Sequence, residues 1–372
     1  MKSQVSILKC VGYEPAIVQE RVREAIDLIG GISAFIKPGS KVLVKPNLLM
    51  AKEPECGITT HPEVVRAVIK TLKEINCSIF VGDGPCLWKN QIKNVDEVYE
   101  RTGISKVCRE ERAELVRFDK RRWRGNFPLS VWLDHCDHLI SIPKFKTHEF
   151  MLITGAIKNN FGLVSGTYKT ELHKKYFDRE DFSKAVVDVY QEAKPSLTII
   201  DGILAMEGDG PASGGKLRNL NLLLAGSDCV SLDSLMALIM GIEPLEVMTT
   251  KEAAERGLGK ADIDSITVLG ENLEGIIGQQ FLLPITSMGS RLPAPVKKLA
   301  KKLIKYLPCV ERDNCVKCAA CIEACPQRSI TMGKDVIIFD YSKCISCFCC
   351  QEACPSCAIK VKKSLLAKIL GL

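Results

Sequence analysis

The segments CVKCAACIEACP (315–326) and CISCFCCQEACP (344–355) decide how the last part of this chain folds. Each carries the spacing C-x2-C-x2-C-x3-C-P. Cys315, Cys318, Cys321 and Cys325 therefore map onto Cys344, Cys347, Cys350 and Cys354 at a constant offset of 29 residues. Pro326 and Pro355 keep that offset, as do Ile330 and Ile359. A repeat that matches at so many positions is a duplicated half-domain. Three cysteines in close succession can wrap a loop around one face of an iron–sulfur cubane, with backbone N–H groups turned to its sulfides. The fourth, before the proline, is expected to start a short helix aimed at the other half and to ligate the partner cluster.

This crosswise reading gives a ferredoxin-type domain with two 4Fe–4S clusters. One falls to Cys315, Cys318, Cys321 and Cys354, the other to Cys344, Cys347, Cys350 and Cys325. The prolines block backward extension of a helix. Short apolar strands over 329–332, 336–339 and 359–361 are expected to pack the two halves. Structural zinc also takes four thiolates, but its sites generally pair C-x2-C motifs across a longer loop. Cys349 and Cys357 fit no ligand slot and read as small packed residues.

The whole chain has 372 residues, of which 46% are apolar and 26% charged, an ordinary balance for a globular protein with a substantial core. A formal net charge of +7, with both signs interspersed, gives no argument for nucleic acid. No basic–aromatic stripe is present either. Of the 18 cysteines, eleven crowd between Cys309 and Cys357. No uncharged apolar run reaches the roughly 20 residues of a membrane span, and the N-terminal MKSQVSILKC reads as a strand, not a signal peptide. A cytoplasmic, reducing location is therefore expected, where clustered cysteines are metal ligands before they are disulfides.

Residues 1–285 read as an α/β domain with a mainly parallel, doubly wound sheet. Short apolar strands at 5–8, 41–45, 78–82, 114–118, 139–143, 197–201, 220–225 and 266–269 alternate with helices at 16–29, 62–75, 94–101, 104–112, 182–192, 229–240 and 244–255. Polar and glycine residues recur just after the strands. Lys45, Pro46 and Asn47 follow VLV, and Gly82, Asp83 and Gly84 follow IFV. Lys144, Lys146, Thr147 and His148 follow LISIP, and Asp201 and Gly202 follow LTII. In open α/β sheets the carboxyl ends of the strands define the ligand crevice, so these residues point to one convergent site. Two loops extend the set, GAIKNNFGLVSG (155–166) with Lys158 and Asn159, and MEGDGPASGG (206–215) with Gly208 and Gly210. A glycine-rich loop offers backbone N–H groups to an anion. Neither a nucleotide P-loop nor a dinucleotide fingerprint is present.

Taken together, KPN, GDG, IPKFKTH, AIKNNFG, DGILAMEGDGP and SDCVSLD resemble, in their order along the chain, the domain of unknown function 362 family. The resemblance spans about residues 5–270 plus the cysteine-rich tail. It implies this domain plan, with a C-terminal two-cluster module, and no particular reaction.

Lys45, Lys144, Lys146, His148 and Asp201 are thus the candidate catalytic residues, and Lys158, Asn159, Gly208 and Gly210 the candidate ligand-binding ones. The alternative for each lysine is a solvated side chain, and for Cys86 a small buried residue. Thr59 or Thr60 is expected to cap the helix after His61. Residues 286–308 form a Pro-rich linker and a basic amphipathic helix (296–307) that either packs on the protein or meets an anionic membrane. The cluster domain occupies 309–363, and a short helix closes the chain at 364–372.

Three functions fit. In a redox enzyme, a soluble electron donor or acceptor protein exchanges electrons through the clusters with a substrate or second cofactor in the crevice, whose lysines suit an anionic small-molecule ligand. The others are an electron carrier or adaptor, and a non-redox enzyme with structural clusters.

Overall fold

The computed structural model describes residues 2–85, 95–166, 168–212, 214–277, 280–287 and 306–363. Cys86, most of the basic helix and the expected C-terminal helix lie outside them.

A ten-stranded mixed sheet forms the larger unit. From edge to edge its main path runs Ile266–Gly270, Ser3–Lys9, Gly215–Gly226, Leu197–Gly208, His138–Ile142, Lys41–Pro46, Ser78–Val81 and Glu114–Leu115. The last five strands of that path pair in parallel, whereas Gly215–Gly226 is antiparallel to both its neighbours. The sheet is buried on both faces. Along Lys41–Pro46, Leu43 enters one core while Val42 and Val44 enter the other, the period of two a strand imposes. Helices Pro15–Leu28 and Pro62–Glu74 cover the second core through Val18, Val22, Val64 and Val68. Helices Arg179–Ala193 and Cys229–Ile239 cover the first through Phe182, Val186, Leu232 and Leu235. The fold is therefore α/β with helices on both faces, as the alternating pattern predicts.

Three departures shape the crevice. The segment after Pro143 is not a loop, because Lys144–His148 is a strand, parallel to Leu197–Gly208 and antiparallel to Leu152–Thr154. The strand expected to stop at Asp201 continues to Gly208 as one arm of a long hairpin. Gly202 serves that hairpin by close approach, since a Cβ there would sit 2.8 Å from the Leu222 carbonyl oxygen. The GAIKNNFG segment is helical, Ala156–Asn159 followed by a 3-10 turn at Asn160–Leu163. Asp233 accepts the Ala156 and Ile157 N–H groups at 2.5 and 3.1 Å and so anchors that helix start. His61, not Thr59 or Thr60, caps helix Pro62–Glu74 by accepting the Glu63 N–H at 3.2 Å. The single helix expected over 244–255 is split into a 3-10 turn, Pro244–Glu246, and a helix, Met248–Glu255.

The smaller unit has two antiparallel ribbons, Tyr306–Val310 with Ile359–Lys363 and Ile330–Met332 with Ile337–Phe339. It thus begins by Tyr306, three residues before the expected boundary, and Leu307 belongs to a strand, not to the end of the basic helix. Its short helices, Ala320–Ala324 and Cys349–Glu352, precede the fourth cysteine of each half. That cysteine therefore follows a helix and does not start one. The duplication extends to the backbone. Lys317 and Ser346, Ala319 and Phe348, and Arg328 and Cys357 all have left-handed φ at the same 29-residue offset.

Candidate functional site

Two cavities in the smaller unit are each lined by four of the paired cysteines. Cys315, Cys318, Cys321 and Cys354 line one, and Cys325, Cys344, Cys347 and Cys350 line the other, the crosswise sets expected from the repeat. Burial, then the charges of Cys354, Cys318 and Cys315, push the Cys321 thiol up to about 12. Four crowded thiolates of this kind need a cationic centre to be stable. Among the described residues no three His, Cys, Asp or Glu side chains converge as they would on a single metal ion. Four thiols spread around a cavity fit a polynuclear iron–sulfur group better than a lone zinc. Cys349 lies outside both sets, fully buried beside Cys347. Cys357 takes the left-handed turn position and is half-buried. All cysteines among the described residues are free.

The α/β crevice forms where the sequence places it, at the carboxyl ends of the parallel strands. Three of its lysines come to within 1% of full burial, and they are held differently. Lys45 Nζ lies 2.7 Å from Asp83 Oδ1 and also donates to the Pro46 carbonyl at 3.1 Å and Asn159 Oδ1 at 3.3 Å. Asp83 in turn accepts the Leu48 N–H at 2.7 Å and the Gly84 N–H at 2.9 Å. Asn159 accepts from Asn47 and donates to Ser141, so it ties two neighbouring strand ends together. Lys144 Nζ donates to Asp201 Oδ2 and to the Tyr13 hydroxyl, both at 2.8 Å. Asp201 also accepts from the Tyr13 hydroxyl and the His61 N–H, and the Tyr13 and His61 rings stack 3.6 Å apart. Burial lowers both lysine pKa values, and the facing carboxylates oppose that.

Lys146 differs. Its Nζ donates to the Ile58 carbonyl oxygen at 2.6 Å and has no carboxylate in ion-pair range among the described residues. Burial, then the charge of Lys158, brings it down to about 7, while Glu352 pulls the other way. Lys144, Lys146 and His148 alternate along their strand and so share one face.

His148 is buried and neutral. Burial and then Lys158 lower it to about 4, and its Nδ1 accepts the Phe150 and Met151 N–H groups. That leaves the ring hydrogen on Nε2, 3.2 Å from Glu352 Oε1 but off the line of a good hydrogen bond. Burial would raise the Glu352 carboxyl, yet His148 and Lys158 outweigh it and hold this group at about 2. Glu352 belongs to the short helix between Cys350 and Cys354, one cysteine from each set. Two further bonds dock the smaller unit on the larger. Lys52 donates to the Pro355 carbonyl at 2.9 Å, and Gln351 donates to the Asp209 carbonyl at 3.3 Å.

Between these groups lies a polar cavity of about 60 Å³, lined by Lys45, Asp83, Lys146, Lys158, Asn159, Lys169 and Glu352 among others. Lys144 and Asp201 are not part of its wall. Gly208 and Gly210 do not line it either. Their N–H groups are taken by the Leu282 and Gly208 carbonyls, so these two donors are not turned to a ligand. Lys169 and His173 do line it and were not expected from sequence, because YKTELHKK reads as a solvated helix. Lys169 is 5% exposed and donates to the Gly84 and Gly162 carbonyls. Glu352 was missed as well, since only the docking of the two units brings it here.

Residues 42–237 match the family model described as a domain of unknown function, DUF362, and residues 307–355 match a 4Fe-4S dicluster domain. A thylakoid-associated protein of Synechocystis sp. is 32% identical over 266 residues, covering 70% of this chain and 80% of that protein. Among solved structures, the lactate racemase apoprotein from Thermoanaerobacterium thermosaccharolyticum overlays with a TM-score of 0.41 at 14% identity, over 65% of this chain and 58% of that one. A structural-genomics protein from Thermotoga maritima overlays with a TM-score of 0.35 at 13% identity, over 65% of this chain and 59% of that one. The overlays therefore span less than two thirds of either solved chain.

Proposed function

The chain belongs to the domain of unknown function 362 family and ends in a 4Fe-4S dicluster domain, and from that premise we propose that it is an iron–sulfur redox protein whose clusters exchange electrons with an anionic small molecule in the crevice. The observation that carries this reading is the position of Glu352. It stands on the helix between Cys350 and Cys354 and forms part of the wall of the lysine-lined cavity. One four-residue helix is thus shared by the cysteine bed and the ligand site.

When bound, two 4Fe–4S clusters on the crosswise cysteine sets supply one-electron chemistry. The protein's own residues do the remainder. Lys45 with Asp83, and Lys144 with Asp201, fix the strand ends. Lys146, Lys158 and Lys169 make the cavity electropositive. Neutral His148 sets its Nε2 hydrogen 3.2 Å from the Glu352 carboxylate, beside the cavity wall. Leu48, Leu49, Phe161 and Pro211 limit water around the bound group. A soluble protein that donates or accepts electrons is the expected partner. The free cysteines favour a reducing compartment such as the cytoplasm. No helix among the described residues is long and apolar enough to cross a membrane.

The test is anaerobic reconstitution followed by iron and acid-labile sulfide analysis and EPR after dithionite reduction. About eight irons per chain and a reducible signal are expected, and both should fall by about half in Cys318→Ala and in Cys347→Ala. Zinc in place of iron, or clusters that dithionite does not reduce, would count against the redox reading.

A further inference from the structure

About 60 Å³ of the crevice holds roughly four to six water-sized groups. That suits an ion of as many non-hydrogen atoms.

The wall chemistry narrows the choice. Lys146 and Lys169 are buried, yet each ammonium meets only carbonyl oxygens, and neither has a carboxylate in ion-pair range among the described residues. Buried cations without a counter-charge are costly, and the cavity is where a counter-charge can sit. Lys158 adds a third positive group to the wall. Asp83 is taken up by Lys45, which leaves Glu352 as the other carboxylate in the wall beside Lys146 and Lys169. The Thr154 hydroxyl is a second, independent sign. Thr154 is 3% exposed, lines the cavity and has no hydrogen-bond partner among the described residues. A buried hydroxyl left unpaired in this way is rare unless a ligand completes it.

Resting on the reading that the cavity takes an anion, we propose that it is a binding site for a small oxyanion such as a phosphate, bicarbonate or short carboxylate, held by the ammonium groups of Lys146, Lys158 and Lys169 and by the Thr154 hydroxyl. Several charge-assisted donors around one small group give it charge-assisted hydrogen bonds on more than one oxygen. Glu352 opposes binding through its charge, so the smaller unit both closes the site and moderates its affinity.

Isothermal titration of the full-length, cluster-loaded, oxidised protein tests this with inorganic phosphate, bicarbonate and acetate as probes, and with AMP and FMN as oversized controls. At least one small probe should bind at one per chain, and the two controls should not compete with it. Lys146→Met and Lys169→Met should each weaken binding by at least about tenfold, the loss expected for a charge-assisted hydrogen bond. Thr154→Val should weaken it by several-fold. Glu352→Gln should tighten it, a gain that misfolding does not produce. The proposal is overturned if none of the three small probes binds, if binding ignores the lysine substitutions, or if FMN takes the site instead. The measurement needs no electron transfer. Oxyanion binding with clusters that cannot be reduced leaves this site standing and removes the redox reading. Reducible clusters with no bound oxyanion do the reverse.

Discussion

Two pairs of buried lysines stand in and beside the crevice and are held in opposite ways. Lys45 and Lys144 each close on a carboxylate, Asp83 at 2.7 Å and Asp201 at 2.8 Å. Among the described residues, Lys146 and Lys169 close only on backbone carbonyls. The first pair is complete without a ligand, and its aspartates also accept backbone N–H groups from neighbouring loops, so it works as scaffold. The second pair is electrostatically incomplete and faces a cavity. Burial alone therefore does not mark a functional lysine; burial without a counter-charge does.

The largest effect that would break this distinction is on stability. Asp83→Ala or Asp201→Ala leaves a buried ammonium uncompensated and should cost about 3–5 kcal/mol in denaturant melts. A loss below about 1 kcal/mol in both would mean the pairs are not the scaffold. Lys146→Met and Lys169→Met should cost less than half as much, because each removes an unpaired charge and strands only carbonyl oxygens. Their effect belongs to oxyanion affinity.

The pH dependence sharpens the contrast. Lys146 is depressed to about 7 in the folded protein against an ordinary 10.5, with Lys158, Lys144, Glu352 and Asp83 as its charged neighbours. The unfolded chain then holds more protons between these values, so this residue makes stability rise from about pH 7 to 10.5. Lys146→Met should flatten that rise. Oxyanion affinity should fall over the same range as the ammonium is lost.

A smaller effect comes from Glu149. Burial, followed by its interaction with Asp209, raises its carboxyl from 4.5 to about 9. The folded state keeps the proton that the unfolded chain loses, so this residue lowers stability as pH climbs from about 4.5 to 9. Glu149→Gln should remove that decline in pH-dependent melts and leave oxyanion binding unchanged.

The cysteine pattern made the smaller unit legible, because ligand spacing is a local property and the repeat displays it twice. The strand ends made the crevice legible through Lys45, Asp83 and Lys146, and the GAIKNNFG segment added Lys158. The strand Lys144–His148 was hidden because KFKTH carries its charges inward, where a buried face would ordinarily be apolar. Gly208 and Gly210 read as part of an anion loop, whereas their N–H groups serve the backbone; Gly202, read as a residue at the strand end, allows close packing within a hairpin. Lys169 and His173 sit in a segment whose polar residues look solvated, and no local signal separates them from their neighbours. Glu352 depends on docking across more than 200 residues of sequence from His148. Spacing cannot reveal such a contact.

The most direct measurement is an EPR-monitored potentiometric titration of the cluster-loaded protein with and without saturating oxyanion. A negative charge bound beside the helix of Glu352 should disfavour the added electron. The midpoint potential should therefore drop when oxyanion binds, and in Lys169→Met the same drop should need at least about tenfold more oxyanion. An unchanged potential in a protein that demonstrably holds both clusters and oxyanion would contradict communication between the two sites.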